Sequence, residues 1–191
     1  MKPYKKKRLH IKNMAHPGCI ETVLEQALKA GLQVKTVKLG KLTLEERITE
    51  EQLNLLAEGL TKHGFEIITD KFIRLIESVK IEIIKIIHHG KKLPANQTYS
   101  TYLPFVLGRE YNYLNGLFMR LEKTTIEKYI LQQKIEKAKK LLCENELPLK
   151  EIAEKLGFSN TQHLSAQFKK ITGLGPYQFK EQLQKSGKIL N

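Results

Sequence analysis

The stretch LKEIAEKLGFSNTQHLSAQFKKI, residues 149–171, decides the fold of the second half of this 191-residue chain. The small side chain of Ala153 allows two helices to cross closely. Gly157 suits the turn between them, because glycine adopts a left-handed backbone without strain. Apolar residues at helical spacing form one seam: Ile152, Leu156, Leu164 and Phe168. The stretch therefore predicts a helix-turn-helix.

The predicted second helix of this motif carries short polar side chains that could read base edges in a major groove. They are Thr161, Gln162, His163 and Ser165. Lys169 and Lys170 follow along the same helix, where they would face phosphates. The spacing alone leaves an ordinary helical hairpin as the alternative interpretation.

The C-terminal signature resembles that of the AraC/XylS-type transcription regulators. It reads Ile152-Ala153-x3-Gly157-Phe158, Leu164-x3-Phe168-Lys169-Lys170, Gly173, Pro176 and Phe179-Lys180. The resemblance covers about residues 99–183. It implies an earlier helix-turn-helix over residues 102–121, with Leu114 and Phe118 in its seam. It also implies a joining helix over residues 126–143, with five inward residues: Ile130, Ile135, Ala138, Leu141 and Leu142.

The chain departs from that family pattern at three positions. Gly116 and Ala166 stand where many members carry a base-reading arginine, and Lys123 replaces a glycine. Without those arginines the commonest direct contact to guanine is lost. Sequence reading is therefore expected through DNA shape or through other side chains: Asn112, Tyr113, Asn115, Thr161, Gln162 and His163.

The first half of the chain shows alternating strand patterns and two amphipathic helical patterns. Gly31 is placed to end the first helix, and Gly40 to close a hairpin. Residues 49–52 form a capping box that opens the second helix. The order is βαββαβ, that of a ferredoxin-like sandwich. The predicted fold class is an α+β ferredoxin-like domain followed by an all-α double helix-turn-helix domain.

The loop MAHPGC, residues 14–19, follows the first predicted strand. It resembles the metal loop of the heavy-metal-associated ferredoxin-like domain, with His16 in place of the first cysteine. That resemblance implies Met14, His16 and Cys19 as metal ligands, and one thiolate with one imidazole suits Zn or Cu(II). We expect Cys19, at a turn, to contribute little to the core. A loop that has kept the fold without the metal is the alternative.

The predicted domains are residues 8–69 (ferredoxin-like), 70–90 (connecting helix) and 96–185 (DNA-binding), with a linker signal at residues 90–98. The helix at residues 70–88 is apolar on more than one face. Two interpretations stay open. It forms a homodimer with a second copy of the chain, or it is a connector packed on its own domain.

The chain holds 33 Lys and Arg against 20 Asp and Glu, a net charge of +13 that favours a polyanionic partner. Residues 5–8 are interpreted as a solvated terminus in preference to a DNA-binding arm. No apolar run predicts a membrane helix, and no signal-peptide core follows the basic start. We therefore expect a cytoplasmic protein, bacterial in type, with reduced cysteines.

Two functions remain in competition at this point. The first is a transcription regulator that contacts double-stranded DNA and RNA polymerase. The second is a metal-trafficking protein with a helical partner-docking tail. Outward amides and phosphate-facing lysines are not needed for docking, so the sequence favours the regulator. No nucleophile-and-base pattern or phosphate-cradling loop predicts an enzyme.

Overall fold

The computed structural model describes residues 8–68, 70–144 and 146–185, so the basic residues 5–7 lie outside the described part. Two compact units form. The first contains the described residues up to Ile84 together with residues 93–123, and the second contains residues 85–92 and the described residues from 124 onward. The predicted boundaries at 8–69, 70–90 and 96–185 stay a prediction. Among the described helices, none combines the length and apolar character needed to cross a membrane.

The first unit contains a four-stranded antiparallel sheet. Its strands are β1 (Arg8–Lys12), β2 (Val34–Lys38), β3 (Lys41–Leu44) and β4 (Glu66–Ile68). Their order across the sheet is β2-β3-β1-β4. Leu9 pairs with Leu42, and Ile11 pairs with Ile67. Helices α1 (Gly18–Lys29) and α2 (Glu50–Lys62) complete the predicted element order βαββαβ.

The ends of both helices follow from their sequences. The Thr49 hydroxyl accepts the Gln52 N–H at 3.2 Å, and the Gln52 side chain accepts the Thr49 N–H at 3.1 Å, so the predicted capping box is confirmed. Gly31 takes a φ of +70° just past the end of α1, as a C-terminal glycine does. One apolar core joins the helices to the sheet, with Ile11, Val23 and Leu56 fully buried.

The turn between β2 and β3 lies against α3 (Lys71–His88), the helix that follows β4. Gly40 has a φ of +73°, and its N–H donates to the buried sulfur of Met14 at 3.2 Å. A Cβ atom at Gly40 would overlap Cδ1 of Ile81. A substitution at Gly40 would therefore need both a left-handed backbone and a shift of the Ile81 side chain.

Helix α3 also holds the first helix-turn-helix, formed by α4 (Tyr99–Leu107) and α5 (Tyr111–Glu122). The Tyr102 hydroxyl donates to Glu82 at 2.7 Å. Lys80 Nζ lies 2.6 Å from Glu77 Oε1 and 3.1 Å from Glu122 Oε1. Four apolar residues of α3 are buried without a second chain: Ile76, Val79, Ile83 and Ile84. The helix thus packs within its own chain, and a homodimer through it stays a prediction.

The second unit is all helical. It contains α6 (Ile126–Glu144), α7 (Leu149–Lys155), α8 (Thr161–Thr172) and α9 (Pro176–Lys185). The five inward residues predicted for the joining helix α6 are all buried. The ring of Phe168 meets that of Phe179 edge to face at 5.3 Å, which fixes α9 on α8. The last turn of α3 belongs to this unit, where His88 Nε2 lies 3.0 Å from Gln133 Oε1.

Candidate nucleic-acid interface

The turn between α7 and α8 has the predicted geometry. Gly157 takes a φ of +68°, and the Phe158 N–H donates to the Ala153 carbonyl at 2.9 Å. From α6, Lys134 donates to the Gly157 carbonyl at 3.4 Å, and its ammonium lies 5.2 Å from the centroid of the Phe158 ring. Burial lowers the pKa of Lys134 below its ordinary value. The turn is therefore held from outside the motif as well as by its own seam.

Helix α8 has defined ends. The Asn160 side chain accepts the His163 N–H at 2.7 Å and so caps the first turn. Gly173, with a φ of +82°, ends the helix. Leu164 and Phe168 are fully buried, so this pair of residues sets which face of α8 is turned to solvent. The core thus determines which residues of α8 are exposed.

Several predicted base-reading residues of α8 share one concave surface. Thr161, Gln162 and Ser165 line a hollow of about 510 Å³, and its remaining lining residues are Pro148, Leu149, Lys150 and Tyr177. Gln162, Lys169 and Lys170 are exposed. The lining contains no carboxylate, and the basic last turn of α8 is favourable beside the negative end of its dipole. This surface can accept a polyanion and offer it hydrogen bonds.

Tyr177 was not predicted, although 74% of it is exposed at the edge of this hollow. It lies in the first turn of α9, outside the helix-turn-helix, so no spacing within the motif could have identified it. The phenol can donate and accept hydrogen bonds. It therefore adds a polar group that the sequence pattern did not indicate.

His163 has surroundings different from those of its predicted companions. Its Nδ1 lies 3.1 Å from the Ser159 hydroxyl, and its ring meets the Phe158 ring edge to face at 5.4 Å. It is exposed but does not line the hollow. Its role as a base-reading residue stays a prediction, and its contacts also give it a part in holding the turn.

The first helix-turn-helix presents a smaller concave surface on α5. The seam residues Leu114 and Phe118 are fully buried, as predicted. Asn112 and Tyr113 line a hollow of about 260 Å³ with Gly116, Leu117 and Arg120. Asn115 is half-buried and lies outside that lining. The structure thus brings two of the three predicted residues of this helix together.

Arg120 is a second functional candidate that the sequence does not indicate. It lies one helical turn after Gly116 and lines the same hollow. It therefore supplies a guanidinium on the face where Gly116 lacks the family's arginine. The i, i+4 spacing was the signal that could have found it.

Helix α5 ends less favourably than α8. Its last residue is followed by Lys123 in the left-handed conformation, with a φ of +57°. This is the position where the family pattern has glycine, and a residue with a Cβ is strained there by about 1 kcal/mol. Glu110, at the N-terminal cap, makes no capping hydrogen bond with its side chain. Packing against its neighbours therefore has a larger part in holding α5.

The predicted metal loop is built differently from an open binding loop. Met14 is 3% exposed and Cys19 is 4% exposed, and both belong to the core beneath the sheet, whereas His16 is exposed. The expectation that Cys19 contributes little to the core was wrong, because the first turn of α1 packs inward. Within residues 8–68, 70–144 and 146–185, no group of three His, Cys, Asp or Glu side chains could hold a metal ion.

Comparison with known proteins finds similarity in the C-terminal half of the chain. A family model described as a helix-turn-helix domain matches residues 106–182. The Msm operon regulatory protein of Streptococcus mutans is 30% identical over 105 residues, which are 54% of this chain and 36% of the relative. The chain spans 9% to 53% of the length of the curated relatives that it matches.

Two solved structures are similar in fold to part of this chain. The C-terminal domain of AraT, a response regulator from Geobacillus stearothermophilus, has a TM-score of 0.50 at 24% identity. That match covers 59% of this chain and 88% of the solved chain. The DNA-binding domain of AdpA, a global transcriptional factor solved with a target DNA, has a TM-score of 0.50 at 16% identity. It covers 58% of this chain and 94% of the other.

Proposed function

We propose that residues 106–182, which match a family model described as a helix-turn-helix domain, form an AraC-type DNA-binding domain, and that the protein is a sequence-specific, double-stranded-DNA-binding transcription regulator. In this proposal α5 and α8 are the recognition helices. The relatives with regulatory names match it only over part of their length, so the regulatory role belongs to the proposal.

The observation that carries the proposal is the exposed face of α8. Gln162 lies at its N-terminal end, and Lys169 and Lys170 lie in its last turn. A recognition helix contacts base edges with its N-terminal residues, and lysines further along neutralise phosphates. The Gln162 amide can bond an adenine in two places at once. The absence of carboxylates around the adjoining hollow supports a polyanionic ligand.

On α5, Asn112 and Tyr113 would have the corresponding role, with Arg120 on the same face. An arginine can bond the two acceptors of guanine. The proposal therefore places one arginine contact to guanine in the first helix-turn-helix, one helical turn after Gly116. Asn115, Thr161, His163 and Ser165 remain in it as secondary contacts.

We further propose that the N-terminal sheet and its two helices form a ferredoxin-like input domain. The element order βαββαβ and the strand order β2-β3-β1-β4 support that assignment. Helix α3 would carry the input, because it contacts both the Gly40 turn and the first helix-turn-helix. RNA polymerase and a second copy of the chain are further partners in this proposal.

The first experiment is recovery of genomic DNA fragments with the purified full-length protein, followed by titration of the enriched duplexes at several salt concentrations. We expect nanomolar to micromolar binding that weakens steeply with salt. An enrichment indistinguishable from that of unrelated fragments would contradict sequence-specific binding.

The second experiment separates base reading from phosphate contact. Gln162→Ala should weaken specific binding by about 1 to 3 kcal/mol and relax the preference at one base pair. Lys169→Ala should weaken all duplexes together and lower the salt slope by about one unit. The exposed Gln132 and Lys128 of α6 give matched controls, Gln132→Ala and Lys128→Ala. A uniform loss for Gln162→Ala would refute the orientation of α8.

A further inference from the structure

A second concave surface lies beside α5, and α3 builds part of it. This hollow of about 370 Å³ is lined by Lys71 and Phe72 from α3. Arg109, which precedes α5, and Tyr113, in the first turn of α5, also line it. Tyr113 also lines the hollow over Gly116. The two surfaces are therefore continuous, and the first turn of α3 extends the candidate DNA surface.

The side chains of this surface concentrate positive charge. The Lys71 ammonium lies 5.0 Å from the centroid of the Phe72 ring, and the Arg120 guanidinium lies 5.8 Å from the same ring. An aromatic face attracts cations at these distances. Phe72 therefore keeps two basic groups on one side of the unit.

No carboxylate lines either hollow. Asp70 is the acidic residue that directly precedes Lys71. Its Oδ1 accepts the N–H groups of Phe72 at 2.6 Å and Ile73 at 3.1 Å. These hydrogen bonds lower the pKa of Asp70, and they direct its charge to the helix end. Lys71 is exposed and remains available to an anion from solution.

We propose that the first turn of α3 is a phosphate-contacting extension of the DNA interface, with Lys71 as its contact residue. Packed helices lie about 8 to 10 Å apart, and the major groove is about 12 Å wide. A helix beside one that lies in the groove consequently faces the phosphate wall. The extension rests on the proposed DNA binding by α5, and it adds a contact from outside the helix-turn-helix domain.

The test compares Lys71→Gln with Lys71→Arg and with Lys35→Gln, which makes the same charge change at an exposed residue of β2. Binding of the full chain to an enriched duplex and to a scrambled duplex is measured across salt concentrations. Lys71→Gln should weaken binding to both duplexes about three- to tenfold and lower the salt slope by about one unit. Lys71→Arg should keep the slope, and Lys35→Gln should behave as wild type.

Three outcomes would overturn the extension. Lys71→Gln could bind as wild type does, Lys35→Gln could lose as much as Lys71→Gln, or Lys71→Gln could bind more tightly because α3 covers the DNA site. Thermal unfolding of each variant checks that the fold is kept. The proposed function fails separately, when wild type itself shows no specific binding or when Gln162→Ala has no effect. In the latter case the Lys71 comparison still decides the extension.

Discussion

Replacing Lys80 by Met should destabilise the first unit by about 3 kcal/mol. Lys80 joins α3 to the end of α5 through ion pairs with Glu77 and Glu122. The side chains of Lys80 and Glu77 are 14% and 7% exposed. Glu77 Oε1 is buried, and the Lys80 ammonium 2.6 Å away is its partner. Methionine fills similar space but leaves that carboxylate unpaired.

The magnitude follows from the burial. Removing one partner of a buried ion pair costs about 3 to 5 kcal/mol, because the remaining charge stays away from water. Glu122 is 30% exposed, which places the cost at the lower end. Lys29→Met is the matched control, since Lys29 lies at the same 2.6 Å from Glu25 but both side chains are more than half exposed. That exposed pair should contribute less than about 1 kcal/mol.

The pH dependence has a definite sign. Burial disfavours the charge of Lys80, but the hydrogen bonds and charges of Glu77 and Glu122 outweigh it and raise the pKa of Lys80. A raised lysine pKa stabilises the fold below the unfolded value of about 10.4, and the stabilisation is lost as pH rises through the folded pKa. The difference between wild type and Lys80→Met should therefore be constant from about pH 7 to 9 and shrink at higher pH.

Urea denaturation of the full chain measures the loss, and hydrogen exchange of peptides from α3 and α5 locates it. Adding Glu77→Gln to Lys80→Met should recover more than half of the stability, because the unpaired charge is gone. The reasoning is refuted if Lys80→Met lies within about 0.5 kcal/mol of wild type, or if the double variant is as unstable as the single one.

Three further outcomes are expected. The fragment 70–191 should bind DNA with the salt dependence of the full chain. The fragment 96–191 should bind more weakly, because its first helix-turn-helix lacks α3, and equal affinities of the two fragments would refute this. Elemental analysis of purified wild type should find no stoichiometric Zn or Cu, because Met14 and Cys19 are buried in the core and only His16 is exposed; metal present in wild type and lost in His16→Ala would contradict this. Lys134→Met removes the donor to the Gly157 carbonyl and should cost about 1 kcal/mol in thermal unfolding; an unchanged midpoint would contradict that contact.

The sequence predicted features that depend on local rules. Ala153 and Gly157 identify the second helix-turn-helix because close helix crossing and a left-handed turn restrict the residue types. The seam residues Leu164 and Phe168 follow from helical periodicity. The element order of the first unit follows in the same way from alternation, capping and glycine positions.

Other features depend on packing between distant segments, which periodicity does not describe. Lys80 and Glu122 are 42 positions apart, and each is an ordinary charged residue of its own helix. Their pairing is visible only once α3 is placed against α5. The turn residues beside Cys19 predict little contribution to the core, although the first turn of α1 directs its side chain into the core.

The packing at Gly40 restricts how this protein can vary. A Cβ there would meet Cδ1 of Ile81, so a substitution requires that side chain to move as well as a residue that adopts a positive φ. The Gly40 N–H also donates to Met14, and its carbonyl accepts the Ile11 N–H at 3.1 Å. In a library of all substitutions, position 40 should tolerate fewer residues than Gly64 and Gly90, which share its positive φ but have open space around them. The end of this hairpin is thus more restricted in sequence than the two open turns.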